Sequence, residues 1–339
     1  MRAAYLLDPG TWTPERLAAL AGAGLDTVVL KAAAVTPRLA SAARRHGLRV
    51  IGSVPCFRAG PEHPEALRPV DEQGRRWEPM EWYEGLIPSH PDHNEALVRR
   101  CAEAAGSPDL DGLVLDFLRW PLHWELELRA GASPRRGSYD PVTLAGFTAR
   151  TGLRPPTPED VPATARWIDR HHRSAWLDYR VRTVTAVAAA VRDALRATRP
   201  GLWLGAFLVP APEPQRRELT GQDTAALGEL LDGLLVMSYH AILHRPADFP
   251  ASAAAEVRRH TATPVVPMVQ VTADPAHARG ADWGPAVDAA QYTAALRGSL
   301  RAGRGEVCLF PGEGLDEDLL RLTREQTALH PHPFTGGAR

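Results

Sequence analysis

Eight apolar runs, each followed by a segment of helical periodicity, constrain this chain more than any other feature. They occupy 3–8, 25–32, 48–57, 110–117, 202–209, 231–239, 264–271 and 305–312. The runs are apolar throughout rather than alternating, which marks strands covered on both faces and therefore a parallel sheet. The helices announce their starts: Thr13–Pro14 and Thr36–Pro37 pair an N-cap with a proline in the first turn, and Gly47 closes the second helix. Eight strand–helix units in 339 residues predict one (β/α)8 TIM barrel. The alternative is a doubly wound sheet, but no glycine-rich dinucleotide loop follows the first strand. Two connections are long, and they are expected as insertions after strands three and four. Residues 58–90 lack clear periodicity, and 121–160 read as irregular apart from a short helix in "DPVTLAGFTARTG". A long helix over 162–198 is expected to break near His171. No linker divides the chain, so 1–330 reads as a single domain and 331–339 as a disordered tail.

Bulk properties exclude several partners. The formal net charge is −1, which gives no electrostatic reason to bind nucleic acid or an anionic membrane. The basic residues are nearly all arginine, read as coding bias. No run approaches the ~18 apolar residues of a membrane span, and the opening "MRAAYLLDPGTW" is too short and too soon interrupted to be a signal segment. Cys56, Cys101 and Cys308 form neither a metal spacing nor an even disulfide set, which fits a reducing, cytoplasmic compartment. No cofactor motif is present. His171 and His172 are adjacent on a helix and point to different faces, so no metal site is expected there.

In a barrel, chemistry gathers where strands end and βα loops begin. That rule selects Asp8, Lys31, Asp116, Arg119, Trp120, Phe207, Tyr239, His240 and Gln270, together with the Met237 and Phe310 strand ends. The loop "RRWEPMEWYEG" after strand three adds Trp77, Trp82 and Tyr83. Aromatic faces that stack on sugar rings, beside carboxylates and amides that bind hydroxyls, suit a small-molecule or oligosaccharide substrate. Asp116 is the central residue. A carboxylate closing an apolar strand is costly unless it is paired or used, and Arg119 stands near enough in sequence to pair with it and keep it ionised.

The stretch "LDGLVLDFLRWP" resembles the strand-four signature of a group of glycoside-hydrolase-like barrels. Asp111, Gly112, Asp116, Phe117, Arg119, Trp120 and Pro121 match that pattern. "LIPSHPDHNEALV", "GFTARTGLRPP" and "LLDGLLVMSYH" are similar to further parts of the family, and the likeness spans roughly 50 to 245. The resemblance implies a hydrolase acting on O-glycosidic bonds, with Asp116 as its transferable catalytic residue. The chain departs from the chitinase version of this strand, because Val114 replaces its middle aspartate and Leu118 stands where its acid glutamate would be.

Glycoside hydrolysis ordinarily uses two carboxyl groups. By position, Glu213 after strand five and Glu313 after strand eight rank first for the second one. Glu78, Glu81 and Glu84 in the strand-three loop, and Asp8, follow. Two other readings stay open: a catalytically silent carbohydrate-binding barrel, and a Schiff-base lyase or aldolase using Lys31.

Overall fold

The computed structural model describes residues 1–330 except 9, 11, 61, 62 and 279; the tail expected to be disordered, 331–339, lies outside the described residues. Eight parallel strands close in sequence order: β1 (Arg2–Tyr5), β2 (Thr27–Lys31), β3 (Arg49–Pro55), β4 (Gly112–Asp116), β5 (Trp203–Leu208), β6 (Gly233–Val236), β7 (Val265–Gln270) and β8 (Val307–Phe310). The barrel shuts where Arg2 and Ala3 of β1 pair with Val307 and Cys308 of β8. The expected (β/α)8 architecture is the one observed.

Side-chain alternation sorts each strand between two cores. Leu113 and Leu115 of β4 are fully buried against the helical layer, while Val114 fills the barrel interior with Ala3, Val29, Ile51, Leu235 and Cys308. Each such leucine contributes roughly 1.5–3 kcal/mol by leaving water. Asp116 shares Val114's parity, so it is the top rung of an inward column that ends at the barrel mouth. Gly112 begins that column because a Cβ there would lie 2.7 Å from Ile51 Cδ1 and 2.8 Å from the Trp203 carbonyl. The same parity sends Tyr5, Lys31, Phe207 and Phe310 toward the mouth.

The helices start where the sequence places them. Thr13 and Thr36 accept from the backbone N–H groups of Arg16 and Leu39, with Pro14 and Pro37 in the first turns. The long helix breaks at His172 into Val161–His171 and Arg173–Thr198. Both insertions are present. The segment after β3 is held by the isolated bridges Arg58–Gly85, Val70–Arg76 and Met80–Tyr83. The segment after β4 contains Trp124–Glu127 and Pro141–Thr151 before the broken helix. Two local expectations need correction. Trp124–Glu127 is a short helix inside the stretch read as irregular, and Glu213 opens the helix Glu213–Thr220 rather than lying in a loop. No helix of the described residues is long and apolar enough to cross a membrane.

Candidate active site

A cavity of about 250 Å3 opens at the C-terminal ends of the strands, where barrel chemistry is expected. Tyr5, Phe207, Tyr239, Phe310, Trp124 and Trp283 give it an aromatic wall. The wall is a connected set: Tyr239 stacks on Phe310 with centroids 4.5 Å apart, and Phe310 meets Tyr5 edge-on at 5.7 Å and Trp283 at 5.3 Å. Against it stand Lys31, Arg58, Arg119, Glu81, Asp116 and Glu125. A larger depression of about 720 Å3 lies on the outer face, among helices Pro91–Ala105, Pro141–Thr151 and Arg173–Thr198, and no strand end reaches it.

Asp116 accepts from the Phe117 N–H at 2.8 Å. Burial pushes its carboxyl up to about 6; Arg119, the Phe117 N–H, Arg58 and Lys31 pull it back only in part. Phe117 itself has φ +51°, a left-handed conformation that costs a non-glycine residue about 1 kcal/mol or more. That kink ends the strand and lets the chain turn away above Asp116. Glu81, across the cavity mouth, has φ +50°.

Another buried carboxyl on the cavity is that of Glu125, which the sequence reading did not select. It sits in the Trp124–Glu127 helix with its side chain 14% exposed. Burial pushes it up to about 7; Arg119 opposes this, while Asp116 and Glu81 add to it. His123 lies fully buried beside it. Its Nδ1 is 3.5 Å from Glu125 Oε2 and its Nε2 is 3.8 Å from Glu81 Oε2. Burial drives the imidazole down to about 4, so it is neutral at physiological pH. Glu127, in the same turn, is committed elsewhere: it accepts from the His123 N–H at 2.6 Å and pairs with Arg135 at 3.1 Å.

Arg119 does not hold Asp116 in the ion pair expected from their spacing. It is 1% exposed, its Nη2 donates to the Leu122 carbonyl at 3.4 Å, and its guanidinium lies 4.9 Å from the Phe117 ring centroid. Its Nε and Nη1 are buried without hydrogen-bond partners.

Lys31, Glu81, Trp82, Asp116, Arg119, Phe207, Met237, Tyr239 and Phe310 come together on the cavity. The remaining selected residues are not part of its lining. Glu213 is spent on structure: its carboxylate accepts from the Thr224 N–H at 2.9 Å and the Thr224 hydroxyl at 2.6 Å, and it pairs with buried Arg216. Burial alone would raise it, but Arg216 and Thr224 outweigh that and hold it below the usual carboxylate range. Glu313 Oε1 accepts from the Leu7 and Asp8 N–H groups at 2.8 and 2.9 Å and from Trp12 Nε1 at 3.0 Å, tying the β1 loop to the end of β8. Asp8 lies exposed in that tied loop. Trp120 turns outward, donating to the Arg180 carbonyl at 3.0 Å under the Arg180 guanidinium. Tyr83 stacks behind Phe117 at 5.8 Å, and its hydroxyl accepts from the Leu122 N–H. Gln270 ties three loop segments, accepting from the Ile242 N–H and donating to the Thr272 and Trp283 carbonyls. His240 is buried outside the cavity lining.

Comparison with protein-family models and with curated proteins gives no match. Solved structures do match. The PgaB (BpsB) glycoside hydrolase domain from Bordetella bronchiseptica aligns over 97% of both chains with a TM-score of 0.67 at 15% identity. The fold is that of the glycoside-hydrolase-like (β/α)8 barrels. The beta-galactosidase of the psychrophilic Marinomonas ef1 aligns over 97% of this chain and 59% of its own, with a TM-score of 0.67 at 14% identity. The chitinase of Chromobacterium violaceum covers 97% and 99%, with a TM-score of 0.54 at 12% identity. At these identities the likeness is one of fold.

Proposed function

We propose that this barrel is a glycoside hydrolase that cleaves an O-glycosidic bond at its C-terminal mouth. The observation that carries this reading is the pair of carboxyl groups, Asp116 and Glu125, lining one cavity together with a set of aromatic side chains. A glycosidase needs one carboxyl ionised and one protonated at the same pH. Burial raises both, but Arg119, the Phe117 N–H, Arg58 and Lys31 favour ionised Asp116, whereas Asp116 and Glu81 disfavour ionised Glu125. Glu125 therefore donates a proton to the leaving oxygen as the glycosidic C–O bond breaks. Asp116 either attacks the anomeric carbon or takes the proton from an attacking water. The aromatic wall holds the apolar face of the ring. The lyase alternative needs a desolvated lysine, and Lys31 is exposed at the end of β2.

The test is hydrolysis of a panel of aryl glycosides and oligosaccharides by the wild type and by Asp116→Asn. The variant should fold normally and lose about 10,000-fold in turnover on whichever substrate is accepted, because a group that cannot ionise cannot stabilise the transition state. Saccharide binding with no hydrolysis across the panel would instead make this a silent carbohydrate-binding barrel.

A further inference from the structure

We infer that the cavity takes a sugar carrying an anionic substituent, held by Lys31, Arg58 and Arg119. This inference rests on the glycosidase reading and narrows its substrate class. The three cations stand at the ends of consecutive strands, Lys31 on β2 and Arg58 and Arg119 just past β3 and β4, and all line the same cavity. The two arginines meet at Phe117, whose ring centroid lies 5.9 Å from the Arg58 guanidinium and 4.9 Å from that of Arg119. Among the described residues, no carboxylate closes an ion pair with any of the three within 4.0 Å. The carboxylates nearby are engaged differently. Asp282 takes Arg129 at 2.5 Å, Glu81 and Glu125 flank His123, and Asp116 accepts from the Phe117 N–H.

Arg119 makes the case strongest. It is 1% exposed, yet Nε and Nη1 have no partner, and the buried Nε of Arg58 has none either. A buried guanidinium with unmet N–H groups is costly. The hydroxyls of a neutral sugar would satisfy N–H groups without supplying a directly bonded counter-charge, since Asp116 acts on the three cations without closing an ion pair. A carboxylate or sulfate on the ring does both, and the planar guanidinium fork fits either oxyanion in a bidentate manner. With the ring stacked on the aromatic wall, the anionic group would project toward the β2–β4 side.

The experiment is calorimetric titration of the full chain, at about pH 7 and low salt, with oligomers of galacturonate, glucuronate and mannuronate. Each is paired with its carboxyl-reduced neutral counterpart, and sulfated neutral oligosaccharides form a separate arm. At least one acidic oligomer should bind about tenfold or more tighter than its neutral counterpart, and the margin should shrink in about 0.5 M salt. Lys31→Met changes an exposed side chain and so preserves the fold; it should reduce the ratio of acidic to neutral affinity, measured within the variant, about threefold or more. Binding confined to the sulfated arm supports the subsite and identifies sulfate as its anion. Neutral counterparts that bind as tightly as the acids overturn the subsite and leave the glycosidase reading standing. Absence of binding by any saccharide overturns both.

Discussion

Two carboxylate-bearing regions of the barrel mouth make an instructive contrast. On the β5 and β8 sides, Glu213 and Glu313 sit just past strand ends, where catalytic groups are expected, and both are tied to structure, although Glu313 Oε2 is itself buried without a hydrogen-bond partner. One Glu313 oxygen accepts three hydrogen bonds, and Glu213 takes two from Thr224 beside its ion pair with Arg216. On the β4 side, Asp116 accepts one backbone hydrogen bond, Glu125 Oε2 is buried with none, and both nitrogens of His123 are unpartnered. The first region ties loops together. The second keeps more of its bonding capacity for a ligand, and burial that nearby cations offset only in part is what raises its carboxyl groups.

The contrast breaks most visibly at Glu125. Glu125→Gln should cost about 100- to 1,000-fold on substrates with poor leaving groups. On activated aryl glycosides, whose leaving groups need little protonation, most of the rate should survive. Equal losses on both kinds of substrate would remove Glu125 from the acid's role.

The β5 and β8 side should respond in stability instead. Glu213→Gln leaves Arg216 buried without its carboxylate and should destabilise by about 3 kcal/mol, read from denaturant midpoints. Glu313→Gln should cost less, roughly 1–2 kcal/mol, since three hydrogen bonds to a charged oxygen become bonds to a neutral one. Turnover per folded molecule should hold in both. A collapse in turnover with stability intact would return either residue to the list of acids.

A smaller effect has the opposite sign. Because the folded carboxyl of Asp116 titrates higher than an unfolded one, the native state binds more protons between about 4 and about 6, and Asp116 lowers stability as pH rises through that window. Asp116→Asn should therefore be more stable than the wild type by about 1–2 kcal/mol at about pH 8, a figure discounted for the part-exposed side chain, and near parity at about pH 4. Thermal melts of the two proteins at both pH values settle it. Destabilisation of the variant at the higher pH would mean that Asp116 is a structural partner after all.

What the sequence revealed follows from range. The barrel was legible because each strand announces itself locally by continuous apolar residues, and Asp116 because it interrupts one of those runs. Glu125 was hidden. It stands nine residues past Asp116 in a four-residue helix too short to display periodicity. The available signal was the aromatic–acid pairing in "HWELE" directly after the strand-four motif. Arg119 looked like Asp116's partner because three residues separate them; the left-handed turn at Phe117 redirects the chain and leaves that pair unmade. The commitment of Glu213 depends partly on Thr224, eleven residues away, and that of Glu313 on the β1 loop, some 300 residues away. No local pattern reports such partners.

The central claim is that Asp116 and Glu125 divide the base and acid roles, and the pH dependence of kcat/KM tests it most directly. On an accepted substrate with a poor leaving group, wild-type activity should rise through about 6 as Asp116 ionises and fall through about 7 as Glu125 loses its proton. Glu125→Gln should keep the acidic limb and lose the alkaline one. An alkaline limb that survives in Glu125→Gln, or that disappears in Glu213→Gln or Glu313→Gln, would contradict the assignment.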